Sequence, residues 1–254
     1  MLRDMFDLTG KVALIAGGAG GIGSACARAM TAFGAHVVIA DRNRDGARAV
    51  ADEINAAGGK ASSLALDITD YAAIEAATRS AVDEWGHIDI LLNNVGTTVR
   101  KPLLETTAEE WERVLKVNLT SAFFLCQIVG KEFVRNRRGK MIQIVSTGGL
   151  RAGANFSAYG ASKAGLIHLV KTLALEWAPY RINVNAIAPT ATETDFTADY
   201  YARFPEKKAQ TIANHPFKRL GIPGDYAGAA VYLASSAADF VNGEVIVVDS
   251  GKTV

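Results

Sequence analysis

The chain has 254 residues, with 27 Lys and Arg against 26 Asp and Glu, so its net charge is only +1. That balance offers neither a nucleic acid nor an anionic membrane surface a sign to bind. With 49% apolar and 21% charged residues the composition is that of a globular protein with a substantial core, not of a disordered chain.

The longest run without a charge, 12–27, is 16 residues with five glycines, too short and too glycine-rich to span a bilayer. Asp4 and Asp7 fall where a secretory leader needs an apolar run, so secretion is not expected. Cys26 and Cys126 stand a hundred positions apart with no CxxC, which suits small buried hydrophobes in the reducing cytoplasm. The histidines at 36, 87, 168 and 215 show no ligand spacing, and no metal site is expected.

In chain order, short β-branched or apolar runs at 12–16, 37–40, 63–65, 88–92, 141–145, 182–187 and 244–248 predict seven strands. Most are nearly continuous apolar runs, as in a parallel sheet covered on both faces. Between them, 22–33, 44–57, 71–85, 109–135, 158–177 and 224–233 predict helices. Thr69-Asp70, Thr107-x-x-Glu110 and Pro223-Gly-Asp225 are start signals for the third, fourth and last. Gly34, Gly58-Gly59 and Gly86 follow the first three, where a left-handed closing residue is wanted. The alternation implies one doubly wound α/β domain of the Rossmann type over 1–254, with a seven-stranded parallel sheet. The long break at 188–218, rich in Thr, Phe, Tyr and Pro, is expected to be a substrate lid.

The first strand runs into Gly17-Gly18-Ala19-Gly20-Gly21-Ile22-Gly23 and then a helix. Side-chain-free positions there let backbone N–H groups and the positive helix end approach a pyrophosphate, which makes Gly17, Gly20, Gly21, Ile22 and Gly23 candidate dinucleotide contacts. The second strand ends at Asp41, 18 residues after Gly23. A carboxylate at that edge accepts both ribose hydroxyls of an adenosine and repels a 2′-phosphate, so NAD(H) is expected over NADP(H), with the adjacent Arg42 as counterweight.

Tyr159 and Lys163 fall one turn apart on a predicted helix. With seven Tyr and twelve Lys, chance alone supplies about 0.3 such pairs in a chain of this length. Ser146 lies 13 residues earlier, just past a predicted strand, and requiring one of eleven Ser at that offset lowers the expectation to about 0.014. A Ser, Tyr and Lys so placed suit proton transfer coupled to hydride transfer at a carbinol carbon. The amine and an oxidised nicotinamide favour a phenolate, and the serine steadies charge on the substrate oxygen.

With these residues in hand, the chain resembles the short-chain dehydrogenase/reductase family over almost its whole length. The likeness runs through the glycine loop, Asp67-Ile68, Asn93-Asn94-Val95-Gly96, Asn118, Ser146, Tyr159 and Lys163. The resemblance implies a catalytic set of Asn118, Ser146, Tyr159 and Lys163, with Asn118 holding a water that relays the proton. It also implies cofactor contacts from Asp67, Ile68, Asn94, Gly96, Pro189, Thr190, Thr192 and Thr194, and a homo-oligomer, tetramer or dimer, built on the long helices. Four positions depart from the family pattern: Ala16 for Thr, Val95 for Ala, Thr190 for Gly and Ser250 for Gly.

Arg100, after the Asn-Asn-Val-Gly turn, is similar in placement to an arginine of the gluconate 5-dehydrogenase-like branch, which acts on sugar acids and polyols. A guanidinium there would pair with a substrate carboxylate. Ser146, Thr147, Asn155 and Tyr159 complete the expected substrate contacts, with Tyr200, Tyr201 and Phe204 in the lid. The reading is an NAD-dependent alcohol/ketone oxidoreductase of a small polyhydroxylated or acidic substrate. The alternatives are an NADPH-dependent 3-oxoacyl-thioester reductase and a non-catalytic dinucleotide sensor.

Overall fold

A computed structural model describes residues 3–254. Seven strands form one parallel sheet in the order β3-β2-β1-β4-β5-β6-β7. They are β1 (Val12–Ala16), β2 (His36–Asp41), β3 (Lys60–Ala65), β4 (Ile90–Asn93), β5 (Gly139–Ile144), β6 (Ile182–Pro189) and β7 (Val245–Val248). The chain winds outward from β1 to β3, returns, and winds the other way from β4 to β7. The carboxyl ends of β1 and β4 therefore flank the crevice where ligands bind in such sheets.

Alternation along β1 sorts the core. Val12, Leu14 and Ala16 face one side, with Ile74 of α3 (Tyr71–Trp85), Leu125 of α5 (Ser121–Asn136) and Leu166 of α6 (Ser157–Trp177). Ala13 and Ile15 face the other, with Met30 of α1 (Gly21–Ala32), Val50 of α2 (Arg44–Ala56) and Val231 of α9 (Ala227–Ala234). Fully burying each Leu or Ile contributes about 1.5–3 kcal/mol, so the two layers fix the strand register and with it the sheet edge.

The expected caps are present. Asp70 accepts from Ala72 and Ala73 N–H, and Thr107 and Glu110 close a reciprocal box at the start of α4 (Ala108–Leu115). Gly34 and Gly86 take φ of 96° and 81°, the left-handed exits that the sequence pattern asked for.

Three expectations are corrected. The helix expected as continuous over 109–135 is α4 and α5 joined by a π-helical turn, Lys116–Thr120, which inserts one residue's worth of slack around Asn118. The stretch 188–218 is not an open loop, because it holds α7 (Asp195–Arg203) and α8 (Pro205–Ala213), each opened by a residue suited to a helix start, Thr194 and Pro205. The helix expected at 224–233 begins with a tight 3-10 turn, Pro223–Tyr226, before α9.

Candidate active site

The glycine loop leaves β1 at Gly17, whose φ is 76°, and enters α1 through extended Gly20. Its packing leaves no space for side chains: a Cβ on Gly23 would stand 2.1 Å from the Gly17 carbonyl oxygen, and one on Gly18 would stand 2.9 Å from Ile39. Gly20 differs, since a Cβ there would meet only Asp195, at 3.8 Å, so this glycine faces the cleft. No side chain caps α1, whereas α2, α3 and α4 are capped by Asn43, Asp70 and Thr107. The first amides of α1 are thus left for an anionic ligand, which fits a dinucleotide pyrophosphate.

Two side chains hold the loop. Asn94 donates to the Gly17 carbonyl at 3.0 Å. Asp41 accepts from Ala19 N–H at 3.1 Å and from Asn43 N–H at 2.9 Å, placing a carboxylate beside the loop at the end of β2. Arg42 is exposed next to it. Beyond β3, Asp67 accepts from the Thr69 amide (2.8 Å) and hydroxyl (2.7 Å), bonds that hold its pKa below the usual carboxylate value, and Ile68 is buried.

A cavity of about 580 Å³ opens beside the loop. Into it the fold brings Gly20, Gly21, Ile22, Asn94, Gly96, Arg100, Ser146, Thr147, Tyr159, Lys163, Pro189, Thr190, Thr192 and Thr194. Gly17, Gly23, Asp41, Arg42, Asp67, Ile68 and Asn118 stand behind its wall or farther along the sheet edge. Asn155 is exposed outside the lining, in a left-handed turn with φ 67°.

Tyr159 and Lys163 come from the first turns of α6, which pack under the turn after β5. A Cβ on Gly149 would meet the Lys163 carbonyl carbon at 2.8 Å, so the serine-bearing turn lies directly on the helix. The Ser146 hydroxyl and the edge of the Tyr159 ring lie on the same side of the turn, 3.4 and 3.6 Å from where a Cβ on Gly148 would stand. Burial leaves the phenol's pKa raised, while the nearby Ser146 hydroxyl and the Arg100 charge act to lower it. Lys163 is buried, donates to the Ile144 carbonyl at 2.9 Å, and burial brings its pKa down to about 8. Its Nζ stands 6.0 Å from the Tyr159 ring centroid and 3.6 Å from where a Cβ on Gly96 would be.

Asn118 braces this pair. Its oxygen accepts from Thr97 N–H at 2.7 Å, and its amide donates to the Thr97 carbonyl at 2.9 Å and to the buried Ser162 hydroxyl at 3.0 Å. Ser162 in turn donates to the Tyr159 carbonyl at 2.7 Å. The π-helical turn thereby ties the loop after β4 to the start of α6.

Arg100 is held between aromatic faces, 4.8 Å from the Phe156 centroid and 4.2 Å from that of Tyr200 on α7. Its faces are covered, while its edge N–H groups have no protein partner among the described residues. Thr190 bonds the buried His215 ring at 2.9 Å, which links the end of β6 to the chain beyond α8. Sequence reasoning had not singled out Arg151, Asp195, Phe196, Lys252 or Thr253, which also line the cavity. Of these only Asp195 and Phe196 carried a signal, their position directly after the family threonine Thr194.

A family model described as enoyl-(acyl carrier protein) reductase matches residues 17–253. The chain is 39% identical to a sorbitol dehydrogenase of Cereibacter sphaeroides, covering 96% of this chain and 98% of the relative. It is 36% identical to a 2-dehydro-3-deoxy-D-gluconate 5-dehydrogenase of Dickeya dadantii, covering 99% and 98%. A solved gluconate 5-dehydrogenase from Burkholderia cenocepacia J2315, in complex with NADP and tartrate, superposes with a TM-score of 0.94 at 34% identity, covering 100% and 99%. The chain belongs to the short-chain dehydrogenase/reductase family. As a member it is an oxidoreductase acting on CH–OH groups with a nicotinamide dinucleotide.

Proposed function

We propose that this dehydrogenase moves a hydride between NAD(H) and the secondary alcohol or ketone of a small polyhydroxylated acid. One observation carries the reading: a single cavity lined by Ser146, Tyr159 and Lys163 and by an Arg100 guanidinium with no hydrogen-bond or ionic partner among the described residues.

The amides opening α1 would hold the pyrophosphate, Asp41 the adenosine ribose, and Asp67 and Ile68 the adenine. Asn94, Gly96, Lys163, Pro189, Thr190, Thr192 and Thr194 would border the nicotinamide end. Once bound, the cofactor supplies the hydride acceptor or donor. In oxidation the Tyr159 phenolate takes the hydroxyl proton, and Ser146 donates to the substrate oxygen as charge develops there. Arg100 and Lys163 place positive charge near that phenolate, opposing the effect of burial. Asn118 has both amide hydrogens committed and its oxygen accepts from Thr97 N–H, so the second lone pair of that oxygen, 3.6 Å from the Gly96 Cβ position, is what it has left to hold a relay water. Arg100 would pair edge-on with the substrate carboxylate, joined by Thr147, while Tyr200 and Tyr201 close over it from α7; Asn155, outside the lining, is left without a substrate role.

NAD over NADP rests on the Asp41 carboxylate at the adenosine end. A homo-oligomer, tetramer or dimer, is supported by exposed Trp111 on α4, Phe123 on α5 and Leu175 on α6. A cytoplasmic enzyme is supported by two unpaired cysteines whose thiols burial pushes up to about 12.

Steady-state rates with NAD and NADP over polyols, sugar acids, cyclic alcohols and 3-oxoacyl thioesters test this. The expected result is NAD-dependent oxidation of a sugar acid, with the preference over NADP narrowing in Asp41→Ala. NADPH-dependent thioester reduction, or tight NADH binding with no turnover of any substrate, contradicts it.

A further inference from the structure

The cavity is more basic than the chain that forms it. Four cationic side chains line it (Arg100, Arg151, Lys163 and Lys252) against the single carboxylate of Asp195, in a protein whose net charge is +1. Lys163 belongs to the proton chemistry and Arg100 to the first acid group. Arg151 and Lys252 have no place in either.

Arg151 lies on the turn after β5, and Lys252 on the segment that follows β7. Arg151 Nη1 donates to the Lys252 carbonyl at 3.3 Å, so the two residues line one wall of the cavity together. No carboxylate comes within 4.0 Å of either side chain among the described residues. Asp249 acts on Lys252 only from beyond that distance and does not line the cavity. Partial burial disfavours the charged form of Lys252, so an anion placed against this wall would relieve that penalty.

The wall is built by the far half of the sheet: Arg151 follows β5, and Lys252 follows β7 and turns back to meet it. With Arg100 assigned to one acid group and Lys163 to the proton chemistry, the charge of Arg151 and Lys252 is left for a second acid group in the same cavity.

We propose that Arg151 and Lys252 form a second anion subsite, so that the substrate is a polyhydroxylated acid bearing an acidic group at each end. The inference rests on the reading of this cavity as a hydroxy-acid site, and it extends that reading to the far end of the ligand. A carboxylate and a phosphate present the same oxygen chemistry to a guanidinium and an ammonium.

Calorimetric titration of the NADH-loaded protein with sorbitol, gluconate, glucarate and 6-phosphogluconate tests it, because these six-carbon ligands carry none, one, two and two acid groups. Gluconate should bind at least tenfold more tightly than sorbitol, and glucarate or 6-phosphogluconate at least tenfold more tightly than gluconate. Which of the last two gains says whether the distal group is a carboxylate or a phosphate. The double variant Arg151→Gln with Lys252→Gln should erase the second step alone, leaving glucarate and 6-phosphogluconate no tighter than gluconate. Wild-type protein that binds neither diacid more tightly than gluconate overturns the second subsite. So does a double variant that weakens sorbitol and gluconate as much as the diacids. Gluconate binding no better than sorbitol would instead count against the Arg100 reading, so the two failures are distinct.

Discussion

On the β1 side of the cleft, side-chain polar groups and most of the space are already committed to the protein itself, and what stays open is the backbone amides that begin α1. Asp41 accepts two backbone amides, Asn94 is bonded to Gly17, and a Cβ on Gly23 would stand 2.1 Å from a carbonyl oxygen. Along the β4–β7 side the reverse holds, with Arg100 stacked but unbonded at its edge and Arg151 and Lys252 without ionic partners among the described residues. The first wall is fixed by its own side-chain bonds and offers only backbone amides and one carboxylate, suited to one invariable ligand. The second keeps donors open, suited to a ligand that differs from one relative to the next. Within one family, reaction and substrate are thus carried by different physical features.

The contrast can be broken hardest at Gly23. Gly23→Ala forces the loop open, and NADH affinity, read by fluorescence titration, should fall more than a hundredfold with a lower melting temperature. Gly20→Ala should leave the melting temperature in place and weaken NADH alone, since its Cβ meets no protein atom closer than 3.8 Å. Equal melting losses in both variants would mean that the loop is not packed as described.

On the open wall, Arg100→Gln should lower kcat/KM for a sugar acid by about ten- to a hundredfold, the range for a charge-assisted hydrogen bond. It should also move the pH profile. The guanidinium charge lowers the Tyr159 pKa, so its removal raises it, and the rise of alcohol oxidation with pH shifts to higher pH. An unmoved profile would show that Arg100 acts on the substrate alone.

The smallest effect is at Ser250, which replaces the family glycine and sits at φ 58° with a buried hydroxyl that has no partner among the described residues. Ser250→Gly should stabilise the protein by about 1 kcal/mol, or about 2–4 °C in Tm. No gain on calorimetric melting would mean that the hydroxyl finds a partner in solution.

What was legible in the sequence divides along the same line. The seven strands, the glycine loop and the pairing of Ser146 with Tyr159 and Lys163 rest on periodicity, on glycines and on one-turn spacing, all local. The break at Lys116–Thr120 was not legible, because a one-residue insertion does not interrupt an apolar pattern. Helix α7 was missed because its Phe, Thr and paired Tyr favour strands, and its opening Thr194-x-x-Thr197 lacks the Glu or Gln of the usual box. Lys252 reaches the cavity only because the chain turns back at 249–251, a contact with no counterpart in spacing.

The central claim, that Tyr159 carries the proton while the cofactor is held by other residues, is tested most directly by Tyr159→Phe measured two ways. The account predicts kcat lower by at least a thousandfold with NADH affinity within about twofold of wild type, since the lost hydroxyl belongs to the transition state and not to dinucleotide binding. Retention of most of the turnover, or a loss of NADH binding as large as the loss of rate, would contradict it.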